Sequence, residues 1–244
     1  MRTNNEQIAQ KIELRNKILF EYLPMAFTFI GIVVCAIVFK QRVINTLPVC
    51  FSLLIMLFNA RANRIGFLLG AANSMIYLVG YFSERLYGTV GSTIVGAIIQ
   101  VLSFFQWKRK SYKGNSTHFR VLTSGWRIFW LAVILLAWAI TVFVLWKLNA
   151  NQALLDGLTL VFGLILPISD MFAVIDGLPL KVLSQVIQLI TWIMIVLKGN
   201  ISNLTYVFIM LYNVYMVSRL SLRWISLYRE QKALKEQGKI DNEN

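Results

Sequence analysis

The chain has 244 residues, 57% of them hydrophobic and 14% charged, with a formal net charge of +13. That balance belongs to a membrane protein rather than a soluble domain. Its cations flank apolar runs instead of forming one stripe, which excludes nucleic acid as the partner. Cys35, Cys50 and His118 are the only thiols and imidazole, too few for a disulfide framework, a zinc site or a His-based triad, so no catalytic residue, metal or cofactor is expected.

Eight apolar runs begin at Ile18, Val43, Ile65, Leu86, Ile128, Ala153, Leu180 and Ile201, each near the roughly 17–25 residues that cross a bilayer as a helix. They lack the strict alternation of barrel strands. Residues 1–17 form a polar N-terminal segment. The run 18–39 is longer than a signal-peptide core and has no small-x-small site before Lys40, so it reads as a retained span. Residues 43–107 hold three spans joined by tight turns at Ala60–Arg64 and Glu84–Arg85.

The loop 108–127 then carries Lys108, Arg109, Lys110 and Lys113, a cluster suited to anionic inner-leaflet lipid. His118 in this loop reads as a solvated side chain. A lone fifth span, 128–148, has Trp126, Trp130, Trp138 and Trp146 about it, those nearest its ends placed as interfacial anchors. A second trio fills 153–218. A basic tail, 219–244, is expected to continue the last helix through Arg223, Arg229, Lys232 and Lys235 before fraying at Gly238–Asn244.

Lys and Arg sort into alternate gaps. The N-terminus, the second, fourth and sixth gaps and the tail hold 19 of the 24, leaving Lys40, Arg42, Arg85, Lys147 and Lys198 in the others. Cytoplasmic segments retain such charge, so both termini are expected in the cytoplasm. The fold class expected is an all-α polytopic membrane protein of eight transmembrane helices, grouped 1+3+1+3.

The trios echo one another. Asn73 and Tyr77, four apart, are answered 115 positions later by Gln188 and Trp192; Thr93 and Gln100, seven apart, are answered 113 positions later by Tyr206 and Asn213. Four- and seven-residue spacings lie on one helical face. Repeats that start four spans apart share one orientation, as in SWEET-type transporters, where parallel three-helix repeats flank a linker helix and a midplane site. Amides of this kind also bond between helices, for roughly 0.6–2 kcal/mol, and Gly66 and Gly70 read as close helix packing. Yet amides and aromatics on four helices exceed what packing requires. Asn73, Gln100, Gln185, Gln188 and Asn213 are the expected hydrogen-bonding groups, Tyr77, Trp192 and Tyr212 the stacking surfaces, and Thr93 a further candidate beside Gln100. Such a site suits a flat, polar, uncharged molecule. Glu21, Asp156 and Asp170 are the only acids near span interiors, a poor basis for intramembrane catalysis or ion coupling. The rival class is a structural or accessory membrane subunit whose polar faces serve helix association.

The stretch NRIGFLLGAANSMIYLVGYFSERLYGTVGSTIVGAIIQVLSFFQWKRK, residues 63–110, resembles the PnuC family of bacterial vitamin transporters. The resemblance rests on Gly70 and Asn73, the Leu86-Tyr87 turn, Gln100, and Trp107 before the basic cluster; a weaker match runs from Asp156 to Trp224. It implies a SWEET-like fold in a bacterial plasma membrane. It further implies facilitated uptake of nicotinamide riboside or a related precursor, trapped inside by phosphorylation, and a small homo-oligomer, dimer or trimer. The seventh span departs from the nicotinamide riboside members. Gly177, Leu178 and Pro179 follow Asp176, and Ser184 and Gln188 stand where Trp and Asn are expected. Thiamine, riboflavin and deoxynucleosides, carried by other members, therefore stay open as cargo.

Overall fold

The computed structural model describes residues 15–16, 18–40, 43–83, 87–112, 116–147, 153–199, 201 and 204–237. Among them a π-helical turn, Ile18–Tyr22, leads into α1 (Leu23–Val38). Next come α2 (Val43–Ala60), α3 (Ile65–Ser83) and α4 (Tyr87–Arg109). A two-residue hairpin, β1 (Ser111–Tyr112) with β2 (Ser116–Thr117), precedes α5 (Ser124–Lys147). Then follow α6 (Ala153–Met171), a 3₁₀ turn at Ile175–Gly177, α7 (Leu178–Leu197) and α8 (Leu204–Glu236).

Helix ends differ from the apolar runs where polar chemistry favours it. Lys108 and Arg109 join the last turn of α4, where cations oppose the negative end of the helix dipole. Helix α5 starts four residues before Ile128, so the basic connection shrinks to 110–123. Helix α7 starts at Leu178 with Pro179 in its first turn, where a missing N–H costs nothing. The last helix begins at Leu204 rather than Ile201. At 33 residues it is about 50 Å long, well beyond a hydrocarbon layer of roughly 30 Å. It thus carries the tail past the membrane as one rod to Glu236; 238–244 lie outside the described residues.

Six helices pack in a closed sequence of neighbours. Helices α2, α3 and α4 pack consecutively, α4 meets α6, α6, α7 and α8 pack consecutively, and α8 returns to α2. Helix α5 lies outside on α6, and α1 lies outside against α8 and α2. Most of α5 is exposed, Ile128 and Leu136 included, while Ile134 packs against α6, as suits an apolar helix at the lipid boundary. By length and composition, Ile18–Val38, Ser124–Lys147 and Ile175–Met194 suffice to cross a membrane; Thr46–Ala60, Ile65–Ile76 and Gly157–Met171 are shorter apolar stretches. Polar residues interrupt the helices of the trios, and these are the residues of interest.

One end of the ring is plugged. Phe67, Trp107, Phe119, Trp224, Leu178, Leu220 and Leu227 form a buried cluster with Ala62 and Ala173. Trp107 meets Phe67 edge-on at 4.9 Å and Trp224 at 5.3 Å; Phe119 lies 5.0 Å from Trp224. Phe119 is held there by Gln231 of α8, which accepts from the Phe119 N–H at 2.9 Å and donates to the Thr117 carbonyl at 2.9 Å. The α2–α3 turn, the end of α4 and the α6–α7 turn all meet in this cluster, which places the segments around Arg61, Lys110 and Lys181 at one end of the molecule.

Two turns there are alike. Ala62 and Ala173 both have φ near +53° and both are buried. In each, the left-handed residue donates to the carbonyl three back, and the next residue to the carbonyl five back: Ala62 to Asn59 and Asn63 to Phe58, Ala173 to Asp170 and Val174 to Ser169. This is the Schellman closure of a helix end, made twice with alanine.

Candidate substrate site

Pro48 lies inside α2, where it withholds one intrahelical N–H. Beside it, Asn73 of α3 donates from Nδ2 to the Pro48 carbonyl at 3.0 Å and to Ser52 Oγ at 3.1 Å. Since a carbonyl only accepts, these bonds fix which way the Asn73 amide points. Its Oδ1 is buried and has no donor.

One turn before Asn73, Gly70 gives Gln100 its seat. A methyl group at Gly70 would collide with Gln100 Oε1, so α4 lays its amide directly on α3. Gln100 Oε1 is also buried without a donor. The structure therefore brings Asn73 and Gln100 together on one face of α3. Gly66 plays the same part for Asn59, whose side chain would meet a Cβ there. Thr93 is half-buried, two turns before Gln100 on α4. The side chains of Tyr77 and Asp156 lie outside the described residues.

In the other half, Trp192 of α7 stacks on Tyr206 of α8 at 4.2 Å with planes 11° apart. Neighbouring helices that run in opposite directions keep their register. Seven residues back along α7 and seven forward along α8, about two turns, put Gln185 level with Asn213. Gln185 Oε1 and Asn213 Oδ1 are again buried without donors. The Asn213 amide nitrogen has a weak contact to Met210 Sδ at 3.9 Å. Gln188, one turn on, makes a long 3.5 Å contact with the buried Ser184 hydroxyl. Tyr212 packs among Ile32, Val49, Leu53 and Met216, and its hydroxyl donates to the Leu53 carbonyl at 3.3 Å. It joins α8 to α1 and α2 as core.

Gln100 stands seven residues before Trp107, and Asn213 seven before Leu220. The amide level therefore sits about 10 Å, two helical turns, from the aromatic plug. At the plug, and not expected from the sequence, Lys181 pairs with Asp170 at 2.5 Å and lies 4.7 Å over the Trp224 ring. Trp107 Nε1 donates to the Asp170 carbonyl at 2.8 Å, tying α4 to α6. Thr205 Oγ1 and Trp224 Nε1 are further buried atoms without partners. The orphaned Trp224 group has no sequence signal, because an aromatic in a span reads equally as packing or as lipid anchor. Among the described residues no three His, Cys, Asp or Glu gather as a metal site.

The profile of a family described as "Nicotinamide mononucleotide transporter" matches residues 42–225. No curated protein sequence matches the chain at a significant level. A solved structure, "Crystal structure of the Vitamin B3 transporter PnuC", superposes with a TM-score of 0.72 at 14% identity, covering 86% of this chain and 92% of that one. That likeness gives the fold, and the resemblance seen in residues 63–110 is to the same family that the profile describes. With its match running from just before α2 to the middle of α8, the chain belongs to the nicotinamide mononucleotide transporter family.

Proposed function

We propose that the chain moves a vitamin precursor of the nicotinamide riboside type into a bacterial cell across the plasma membrane, with both termini cytoplasmic. One observation carries this reading. Four of the expected hydrogen-bonding residues, Asn73, Gln100, Gln185 and Asn213, end in buried amide oxygens without donors, on four helices and from both trios. A buried acceptor left unpaired costs about 1–3 kcal/mol, so four of them call for a ligand rich in donors. Ribose hydroxyls and a carboxamide supply such donors, and Trp192 on Tyr206 offers an aromatic surface at the next level.

Charge favours the riboside over its phosphate. No Lys or Arg stands at the amide level among the described residues, and a buried dianion without a cation is strongly disfavoured. Phosphorylation inside the cell would therefore make a product that this site rejects, which is the requirement for metabolic trapping. The same lack of ionisable groups supports facilitated diffusion over ion coupling. The aromatic plug closes the cytoplasmic end, so release inward requires Trp107 and Trp224 to part. The twin turns at Ala62 and Ala173, and the crossed contacts of α2 with α8 and α4 with α6, support parallel three-helix repeats in a SWEET-like arrangement. A small homo-oligomer, dimer or trimer, completes the reading.

A second reading keeps the transporter and changes the cargo. Ser184 and Gln188 contact each other where nicotinamide riboside members carry Trp and Asn, which favours a differently shaped ring, as in thiamine, riboflavin or a deoxynucleoside. A binding panel on purified protein, read by tryptophan fluorescence, decides between them. Nicotinamide riboside should saturate at the lowest concentration. Tighter binding of another vitamin would transfer the function to that cargo, and no saturable binding of any would favour the accessory-subunit class.

A further inference from the structure

Outside the ring, a cavity of about 600 Å³ lies between the start of α5, the end of α6 and the 3₁₀ turn. It plays no part in the amide site. Its chemistry changes along its length. At the cation-rich end of the molecule it is bordered by Arg120, Arg127 and Asp176, with Trp126 and Trp130 beside them. Two turns deeper its walls are Leu131, Ile134, Ile165 and Leu166.

The charges at the mouth do not cancel. Asp176 accepts from Arg127 Nε at 3.0 Å and from the Leu122 N–H at 2.6 Å, which satisfies that carboxylate. Arg120 has no carboxylate partner among the described residues. Its backbone is pinned to the α6–α7 turn by two bonds, Arg120 N–H to the Ala173 carbonyl and Ile175 N–H to the Arg120 carbonyl, both 3.0 Å. The backbone that carries the Arg120 side chain is thus held at the mouth by the α6–α7 turn. Alongside, α5 exposes Ile128, Leu135 and Leu136, so the crevice opens toward bilayer.

From this arrangement we infer that the α5–α6 crevice binds one anionic phospholipid of the inner leaflet. Its phosphate sits at Arg120 and one acyl chain lies along Leu131 and Ile134. Cationic pockets between helices on the cytoplasmic side select anionic head groups, while the apolar depth requires a tail that a soluble phosphate lacks. The bound lipid fills the space between the linker helix and α6, so α5 and the second trio move as one body.

Native mass spectrometry of the full-length protein, titrated with phosphatidylglycerol or phosphatidylcholine, tests this. The wild type should retain one phosphatidylglycerol about fivefold more tightly than phosphatidylcholine, the effect of one arginine at the membrane surface. Arg120→Glu should abolish that preference. Leu131→Trp, an exposed position where a bulky residue fills the crevice without touching charge, should weaken retention of both lipids. Lys235→Glu, far along α8, should change neither. Should Arg120→Glu unfold, Arg120→Gln gives the same readout. Equal retention of both lipids by the wild type, or unchanged retention in both crevice variants, overturns the inference. So does displacement of the lipid by inorganic phosphate, which would make this a site for the free anion.

Discussion

Gln100 and Gly70 form one unit, because the Gln100 amide oxygen rests where a Cβ at Gly70 would lie. Gly70→Ala should push that amide off its seat and weaken ligand binding as much as Gln100→Ala does. Each should cost about 1 kcal/mol, roughly fivefold in Kd, the worth of one hydrogen bond. Titration of both single variants and of the double variant checks the coupling: the double should bind no worse than Gln100→Ala alone, since the second change then removes nothing. Asn73 differs in kind. Its nitrogen satisfies the Pro48 carbonyl and Ser52, so Asn73→Ala removes a structural bond as well as a ligand contact. It should lower thermal stability in detergent by about 1–3 kcal/mol, whereas Asn213→Ala should spare stability and reduce affinity. A thermal unfolding series beside the binding series separates the two roles.

At the scale of elements, α1 is the addition to be explained, since the family match begins after it. Glu21 bonds Arg61 at the end of α2 at 2.5 Å and lies 3.9 Å from Arg219 on α8. Tyr215 of α8 donates to the Phe20 carbonyl at 2.8 Å. The N-terminal turn thus bridges the seam where the two trios meet. The ion pairs are partly solvated, so Glu21→Gln should cost only about 0.5–1 kcal/mol of stability. Its effect on transport should be larger than that cost suggests, because it loosens the α2–α8 seam. Uptake measured beside thermal stability checks this, with the expectation that rate rises while folding barely changes. The twin turns allow a sharper test of likeness between the halves. Ala62→Val and Ala173→Val each force a branched residue into a left-handed, buried position, and both should destabilise by about 2 kcal/mol or more.

Over the whole molecule, much of the architecture is written in the sequence because length and charge act along the chain. Run lengths mark the helices, and the sorting of Lys and Arg predicts that Arg61, Lys110 and Lys181 share one end. Polar residues in apolar helices are equally visible, which is why Asn73, Gln100, Gln185 and Asn213 stand out before any contact is known. The plug was not visible. In a bilayer, lipid-facing and protein-facing sides are both apolar, so nothing in the sequence tells buried Trp107 and Trp224 from the exposed Trp126 and Trp146. Tyr212 shows the same ambiguity, since an aromatic beside an amide reads as a stacking surface and here serves as packing. The Asp170–Lys181 pair escaped because its partners lie on different helices and meet only when α6 and α7 close.

The proposed site is amide-lined, uncharged and shared by both halves. Its most direct test is nicotinamide riboside uptake into proteoliposomes, for the wild type and for the Gln100→Ala, Asn213→Ala double variant. Wild-type uptake should be saturable, should stop when concentrations equalise and should be unchanged by collapsing the proton and sodium gradients. In the double variant, half-saturation should rise by about twentyfold, two hydrogen bonds' worth, while the protein stays folded. Accumulation against the gradient, or full uptake at unchanged half-saturation by the double variant, would contradict it.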